Sequence, residues 1–355
     1  MESPGILQRH PEVRWLAVIA VVVALVATAV TTFSEIFTDK PALPSTSPDQ
    51  LVAKLEQPRA HGYYGTVVTR IDLGLPPAMR SALAASAPVG GSLLHGSHTL
   101  RYWYGDADRQ RTAVVRADGE QDVFRNGSAL LVWDSRTGQT TRAAVNGIPL
   151  GALPMSLAMP STLTPPQLAD QILALGSTST TLLRSGSPVA GRPTYELVVR
   201  PKSARSLIDT AVIDVDGAES VPLAVRIYPR GSGNPAIDVS FTSITFSSPA
   251  ERNFTFLPAM PLNISTQHAN GTQAPSVMAP SFAGSGWTAV STYTTSPRRA
   301  ARAASRLGSP AKKVKGAWGS GQVGCVPAVC LLATEDGRVV LGAVDADELV
   351  AAVAH

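Results

Sequence analysis

Four consecutive runs of residues decide the fold, and they read RPTYELVVRP (192–201), DTAVIDV (209–215), VPLAVRIYP (221–229) and AIDVSFTSITF (236–246). Each run alternates apolar with polar residues or is dense in β-branched and aromatic ones, and turn-forming residues separate the runs. This pattern predicts an antiparallel meander. A sheet of this length needs its apolar face covered, and we expect earlier parts of the chain to supply the cover.

Strand patterns also fill the chain before this meander. They occur at 63–71, 97–104, 109–116, 120–125, 129–134 and 139–145. The turns between them contain the Gly, Asp, Asn and Ser residues that tight hairpins need. Helices are predicted at 47–56 and 164–175, each with Pro at its start and apolar residues at helical spacing. The small-residue segment 72–96 interrupts the sheet, and we expect it to act as a lid.

Length and composition predict more than one folded domain. The chain has 355 residues, of which 44% are hydrophobic and 16% are charged, so it is not a solvated, disordered polymer. We expect an N-terminal part at 1–40, a sheet domain at 41–265, a linker at 266–281 and a small α+β domain at 282–355.

An uncharged apolar run at 16–33 is long enough to cross a bilayer. Arg9 and Arg14 precede it and acidic residues follow, which favours a cytoplasmic N-terminus. The sequence therefore predicts a single-pass cell-membrane protein with its C-terminal bulk outside. The alternative is a cleavable signal peptide that ends in the small residues at 27–29.

Four segments carry a family resemblance, and they read GSHTLRYWY (96–104), DVFRNG (122–127), VAGRPTYELV (189–198) and VPLAVRI (221–227). They resemble the LolA superfamily, which groups the lipoprotein carriers LolA and LolB, LppX-type lipid-binding lipoproteins and the sensor RseB. The chain is similar in particular to membrane-anchored LolA-like proteins of actinobacteria, over roughly residues 50–262. The resemblance implies an α+β fold, namely an incomplete antiparallel β-barrel capped by helices, with a small C-terminal α+β domain as in RseB.

What this resemblance implies about function is a membrane-tethered, extracytoplasmic carrier that holds an acyl lipid or lipoprotein in an apolar half-barrel. The alternative is an RseB-like sensor that regulates a membrane protein partner such as an anti-sigma factor. No nucleophile elbow, phosphate loop or dinucleotide fingerprint occurs, so we expect neither enzymatic activity nor a cofactor. We also expect no metal, because His95 and His98 lack a third ligand.

The strand patterns supply candidates for the ligand cavity. They are Val67, Leu100, Tyr102, Tyr104, Val114, Leu130, Val132, Tyr195, Leu197, Ile213, Val225, Ile227, Val239 and Phe241. Each has a second interpretation as core packed under a helix. Trp103 and Trp133 have the opposite parity, and they are either cavity aromatics or a seal on the outer side.

Two features mark the C-terminal part. Cys325 and Cys330 are expected to form a local disulfide in an oxidising environment. Basic residues gather in a predicted helix, and those assigned to a membrane or partner surface are Arg298, Arg299, Arg302 and Arg306. They either attract anionic headgroups or an acidic partner, or form a solvated helix face. Nucleic acid is not an expected partner, because the basic tract lacks interleaved aromatic residues.

Overall fold

The computed structural model describes residues 43–57, 60–86, 95–127, 129–144, 164–256, 264–266, 281–306 and 311–354. The helices of these residues are α1 (Pro48–Leu55), α2 (Pro77–Ser86), α3 (Pro165–Leu173), α4 (Pro297–Arg306) and α5 (Ala346–Ala354). The predicted helices at 47–56 and 164–175 are therefore α1 and α3. A capping box between Ser47 and Gln50 begins α1, and the side-chain oxygen of Gln167 accepts a hydrogen bond from the Thr164 N–H at the start of α3.

The first sheet has twelve strands in the order β12-β6-β5-β4-β3-β2-β1-β11-β10-β9-β8-β7. Its strands are β1 (Tyr63–Ile71), β2 (Gly96–Tyr104), β3 (Arg109–Arg116), β4 (Gly119–Asn126), β5 (Ala129–Asp134), β6 (Gln139–Ala144), β7 (Ser179–Ser185), β8 (Thr194–Pro201), β9 (Ile208–Asp216), β10 (Pro222–Pro229), β11 (Ile237–Thr245) and β12 (Ile264–Thr266). The edge strands β12 and β7 do not pair with each other, so the sheet stays open. All its pairs are antiparallel except that of β12 with β6.

The predicted fold class is confirmed by this topology, an open antiparallel sheet with helices and a second, smaller α+β part. The pairing of β1 with β11 joins the early strands to the final meander. That pairing contains a bulge between Thr66 and Val67, and bulges bend strands and increase their twist. Gly65 lies beside the bulge, where any Cβ would collide with the backbone carbonyl oxygen of Ser243.

The second sheet has six strands in the order β13-β14-β18-β17-β16-β15. They are β13 (Ser281–Ala283), β14 (Val290–Thr294), β15 (Lys312–Gly316), β16 (Gly319–Val326), β17 (Val329–Thr334) and β18 (Arg338–Gly342). Its two faces carry separate apolar clusters. One packs Leu332 and Val340 with Leu349 of α5, and the other packs Ala333 with Ala300 and Ala304 of α4.

A glycine turn and a helix cap shape this second part of the structure. Gly337 adopts a φ of 102° in the turn between β17 and β18, a conformation that favours glycine. The Asp345 carboxylate accepts the Glu348 N–H at 2.9 Å and so caps α5. The two sheets belong to one compact unit, Thr46–His355. The predicted domain boundaries stay a prediction, and the ends of the predicted linker, Thr266 and Ser281, lie in β12 and β13.

The expected single-pass membrane localisation requires correction. Within the part of the chain that the structure describes, no helix has the length and apolar character needed to cross a bilayer. The apolar run at 16–33, on which that prediction depended, lies outside the described residues. No membrane anchor enters the account below.

Truncating a core leucine of the first sheet is expected to destabilise the protein strongly. Leu197 is 0% exposed in β8, whereas Leu182 in the neighbouring edge strand β7 is 49% exposed. Leu197→Ala should lower the free energy of unfolding by about 2–5 kcal/mol, because it leaves a cavity in packed core. Leu182→Ala should change it by no more than about 0.5 kcal/mol. Urea unfolding of both variants checks this, and equal effects would contradict the assigned core.

Candidate ligand-binding face

The strand registers place the candidate cavity residues on one face of the first sheet. Val67 pairs with both Leu100 and Phe241, and Leu100 pairs with Val114. On the other side of β11, Val239 pairs with Val225, and the row continues through Ile213 to Leu197. The same alternation places Tyr102, Tyr104, Val132, Tyr195 and Ile227 on this face. Leu130 lies in β5, and its side chain is outside the described part of the structure.

Helix α3 covers part of this face, which we call the helix-covered face. The helix contacts β10 and β11, and its buried residues include Leu168 and Ile172. The sheet residues under this cover and around it are closely packed core. Those that are buried are Val67, Leu100, Tyr102, Val114, Tyr195, Leu197, Ile213, Val225, Ile227, Val239 and Phe241.

The same face is less buried over β4 and β5. Val123 and Val132, which pair with each other across these strands, are half-buried, and so is Tyr104 at the end of β2. Sequence reasoning missed Val123. The signal was present, because the Asn126–Gly127 turn fixes the register of this hairpin and sets residue 123 opposite residue 132.

A cluster of tyrosines lies on this face beside α3. The Tyr63 ring stacks on Tyr104 with centroids 4.8 Å apart, and it lies 6.0 Å from Tyr102 and 6.3 Å from Phe241. Burial raises the pKa of both Tyr63 and Tyr102 above the ordinary value, so their hydroxyls stay protonated at neutral pH. Sequence analysis passed over Tyr63, the central ring.

Polar side chains connect α3 to the sheet next to these tyrosines. The Tyr102 hydroxyl donates to Gln110 Oε1 at 3.0 Å, and Gln167 Nε2 of α3 donates to the same oxygen at 3.1 Å. Gln110 pairs with Arg125 of β4, which is half-buried on the same face. Arg125 forms no ion pair with a carboxylate of the described residues, and its Nε donates to the Gly127 carbonyl oxygen at 3.3 Å. The Asp170 carboxylate of α3 lies near the same tyrosines, so this rim carries groups of both charges.

One buried polar group of α3, Gln171 Nε2, lacks a hydrogen-bond partner within the described part of the chain. An unsatisfied buried donor or acceptor costs about 1–3 kcal/mol. The contact between α3 and the sheet therefore includes an unfavourable term beside its apolar packing, and it is less stable than a fully satisfied interface of the same area.

The opposite face of the sheet carries Trp103 and Trp133, and both pack against the chain itself. The Arg111 guanidinium lies 4.7 Å from the Trp103 ring centroid and 4.9 Å from that of Phe124. It also pairs with the buried Asp122 at 2.9 Å. Trp133 contacts Phe256, with centroids 5.9 Å apart. Of the two interpretations left open by the sequence, these contacts favour an outer seal.

An ionic cluster lies on the opposite face across β8–β11. Asp214, whose side chain is 2% exposed, pairs with Arg226, and Arg226 lies 3.8 Å from Glu196. Asp238 pairs with Arg70 at 3.4 Å. Burial raises the pKa of Asp214 to about 6 even though Arg226 acts to lower it.

The remaining candidates lie outside the helix-covered face. Cys325 and Cys330 are joined by a disulfide between β16 and β17. The arginines of α4, residues 298, 299, 302 and 306, are exposed. His98 Nε2 lies 2.8 Å from the His95 carbonyl oxygen. The described residues contain no group of three His, Cys, Asp or Glu side chains placed to hold a metal ion.

No known protein family matches the chain, and a search of curated proteins found no relative. The solved structures similar to it include the Pseudomonas aeruginosa MucA/MucB complex, with 16% identity, a TM-score of 0.45 and coverage of 86% of this chain and 95% of that one. They also include a LolA superfamily protein from Nitrosomonas europaea, with 10% identity, a TM-score of 0.25 and coverage of 60% and 99%. An uncharacterised conserved protein from Thermus thermophilus has 9% identity, a TM-score of 0.38 and coverage of 62% and 98%.

These structures include a LolA superfamily protein, in line with the resemblance read from the sequence, and membership of this chain in that superfamily stays a prediction. The narrower likeness to actinobacterial proteins stays a prediction. At these identities and TM-scores the solved structures carry no argument about a ligand or partner of this chain. The functional account therefore rests on the residues of the helix-covered face.

The buried carboxyl of Asp214 is expected to make stability depend on pH. Its pKa is 3.8 in the unfolded reference and about 6 in the folded protein. Between about pH 4 and pH 6 the unfolded chain binds fewer protons at this residue than the native chain, so the free energy of unfolding falls as pH rises. Asp214→Asn removes this contribution.

As the pH rises from about 4 to 6, the free energy of unfolding of Asp214→Asn should therefore rise by about 1–3 kcal/mol relative to that of wild type. Each unit of pKa shift corresponds to about 1.4 kcal/mol. Unfolding by urea at several pH values measures the difference. Parallel curves for the two proteins would show that Asp214 is ionised throughout.

Proposed function

We propose that this protein binds an acyl lipid or acylated lipoprotein on the helix-covered face, over β4 and β5 and beside α3. The observation that carries the proposal is the half-buried apolar surface of Tyr104, Val123 and Val132, which continues into the fully buried surface at Leu100 and Val114. Covering an apolar surface on an open sheet with an apolar ligand is favourable, because both apolar surfaces are removed from water.

The arrangement of charge supports an amphiphile rather than a purely apolar ligand. Arg125 and the Gln110–Gln167 pair form a polar rim at one end of the apolar surface. An acyl chain on Val123 and Val132 gains about 0.8 kcal/mol per buried methylene. A carboxylate, ester or phosphate at the head of that chain would meet the guanidinium and amide donors of the rim.

Helix α3 gives the proposed site a means of enlargement. The helix covers the apolar residues of β10 and β11, and it buries the unpaired Nε2 of Gln171. A long acyl chain that displaced α3 would reach that surface as well. The proposal requires no covalent chemistry and no cofactor, and we propose that the protein is a binding protein rather than an enzyme.

A second candidate function, regulation of a partner protein, is favoured by the junction between the two sheets. Leu207 N donates to the Ala343 carbonyl at 2.8 Å, and Asp345 N donates to the Arg205 carbonyl at 2.9 Å. The Trp287 indole N–H donates to Ser179 Oγ at 2.7 Å. These bonds connect the part of the chain that carries the first sheet to the part that carries the second. A conformational change in the first sheet on ligand binding can therefore alter the second sheet and a partner bound there.

Filling the proposed site with a larger side chain is expected to reduce acyl binding. Val132→Trp places an indole over β5 without burying a charge. It should weaken binding of a fluorescent fatty acid by at least about ten-fold, because each methylene excluded from the site costs about 0.8 kcal/mol. Fluorescence titration of the purified full chain measures the affinity.

The matched control is Leu182→Trp, which adds the same side chain at the exposed edge strand β7 and should leave the affinity unchanged. Urea unfolding of both variants establishes that they fold. Unchanged affinity for the fatty acid in a folded Val132→Trp protein would exclude the proposed site over β4 and β5. A wild-type protein that binds no fatty acid at all would overturn the lipid-binding function and leave the regulatory candidate.

A further inference from the structure

One face of the six-stranded sheet carries a row of cations and an exposed aromatic ring. Helix α4 packs on this face through Ala300 and Ala304, against Ala333, Leu331 and Val339. We call it the arginine face. It is separate from the helix-covered face of the first sheet, and the inference below stands independently of acyl binding.

The arginines of α4 form a stripe that points away from the sheet. Arg298, Arg302 and Arg306 follow one another at four-residue spacing, and Arg299 lies beside them. At 3.6 residues per turn, this set occupies the side of the helix opposite Ala300 and Ala304. All four arginine side chains are exposed.

This stripe is electrostatically unfavourable for the isolated helix. Like charges four residues apart repel each other, and α4 contains no acidic residue that would offset them. Arg298 and Arg299 also lie in the first turn, where the helix dipole disfavours cations. None of the four pairs with a carboxylate among the described residues. A solvated helix face ordinarily mixes charges of both signs, whereas this one is suited to an anionic surface.

The strand registers add further groups to the same face. Lys313 pairs with Gln322, which pairs with Ala333, so Lys313 and Lys315 extend from the α4 side of edge strand β15. At the opposite edge, Phe282 pairs with Ser291 and is 42% exposed. Lysines on an edge strand protect it from pairing with other chains. That role explains neither the arginine stripe nor the exposed phenyl ring.

We propose that the arginine face docks on an anionic phospholipid surface. Guanidinium groups bind phosphate oxygens in bidentate geometry, and a row of them along one helix matches a layer of headgroups. An aromatic ring at the edge of a cationic face is the arrangement by which proteins enter the interfacial region of a bilayer. The cations are spread along α4 and edge strand β15, which fits an extended layer of phosphates better than one acidic peptide.

The test compares two quadruple variants of the full chain that lower the formal net charge of +4 equally. The first replaces Arg298, Arg299, Arg302 and Arg306 by Gln. The control replaces four exposed arginines elsewhere by Gln, namely Arg101, Arg184, Arg200 and Arg252. Binding is measured by co-sedimentation with vesicles of equimolar phosphatidylcholine and phosphatidylglycerol. Vesicles of phosphatidylcholine alone measure every contribution that does not depend on lipid charge.

The α4 variant should lose about a hundred-fold or more in affinity for the anionic vesicles, since each cation at such a surface contributes roughly a five-fold factor. The loss should shrink as salt is raised. The control variant should lose less than about ten-fold. Phe282→Ala should lower the affinity for the anionic vesicles about three- to ten-fold, and this loss should not depend on salt. Tyr64→Ala, a change at an exposed ring of the first sheet, should leave that affinity unchanged.

Equal losses in the two quadruple variants would show that only net charge matters and would overturn the proposal. Full vesicle binding by the α4 variant, combined with lost binding to poly-glutamate, would assign the face to an acidic protein instead. Removing the repulsive stripe should not destabilise α4, so thermal unfolding of the α4 variant should match or exceed that of wild type. Acyl binding on the first sheet should be the same in all these proteins, which separates this test from that of the proposed function.

Discussion

The pairing of β1 with β11 is the interaction on which the rest of the first sheet depends. It joins strands that lie far apart in the chain, with Val67 opposite Phe241 and Ile71 opposite Ile237. Without it the early strands and the final meander would be two separate sheets, each with its own exposed apolar face. With it, one continuous apolar surface runs from Leu197 in β8 to Val132 in β5, and α3 covers part of that surface. Closing so long a loop is entropically costly, and the apolar burial along the shared face offsets that cost.

This surface divides into a filled part and a less buried part. Under and around α3 the sheet is ordinary core, where Leu100, Ile213 and Phe241 are fully buried. Over β4 and β5 it is half-buried and bordered by Arg125 and two glutamines. The two ends therefore have different roles in our account, since one stabilises the fold and the other receives a ligand. The second sheet adds a cationic face and hydrogen bonds to the segment before β9 and to Ser179 of β7, so lipid contact and partner contact need not compete for the same surface.

The sequence predicts the strands, the helices α1 and α3, and the shared face of the cavity candidates, because each depends on local periodicity and turn chemistry. It does not predict which of these residues are filled core, because that depends on where α3 lies, and the position of α3 is fixed by tertiary contacts such as Gln167 with Gln110. Tyr63 and Val123 were missed for a related reason, since their importance comes from cross-strand partners. The ion pair of buried Asp214 with Arg226 was also invisible, because it joins residues of two strands on the opposite face.

The most direct test of the central claim is photoaffinity labelling of the full chain with a fatty acid that carries a diazirine along its acyl chain, followed by peptide mapping. The account predicts that the label is concentrated in β4 and β5, between Gly119 and Asp134, with further label in α3, and that excess unlabelled fatty acid removes it. Label confined to the opposite face at Trp103 and Arg111, or label that competitor does not displace, would contradict the assignment of the ligand to the helix-covered face.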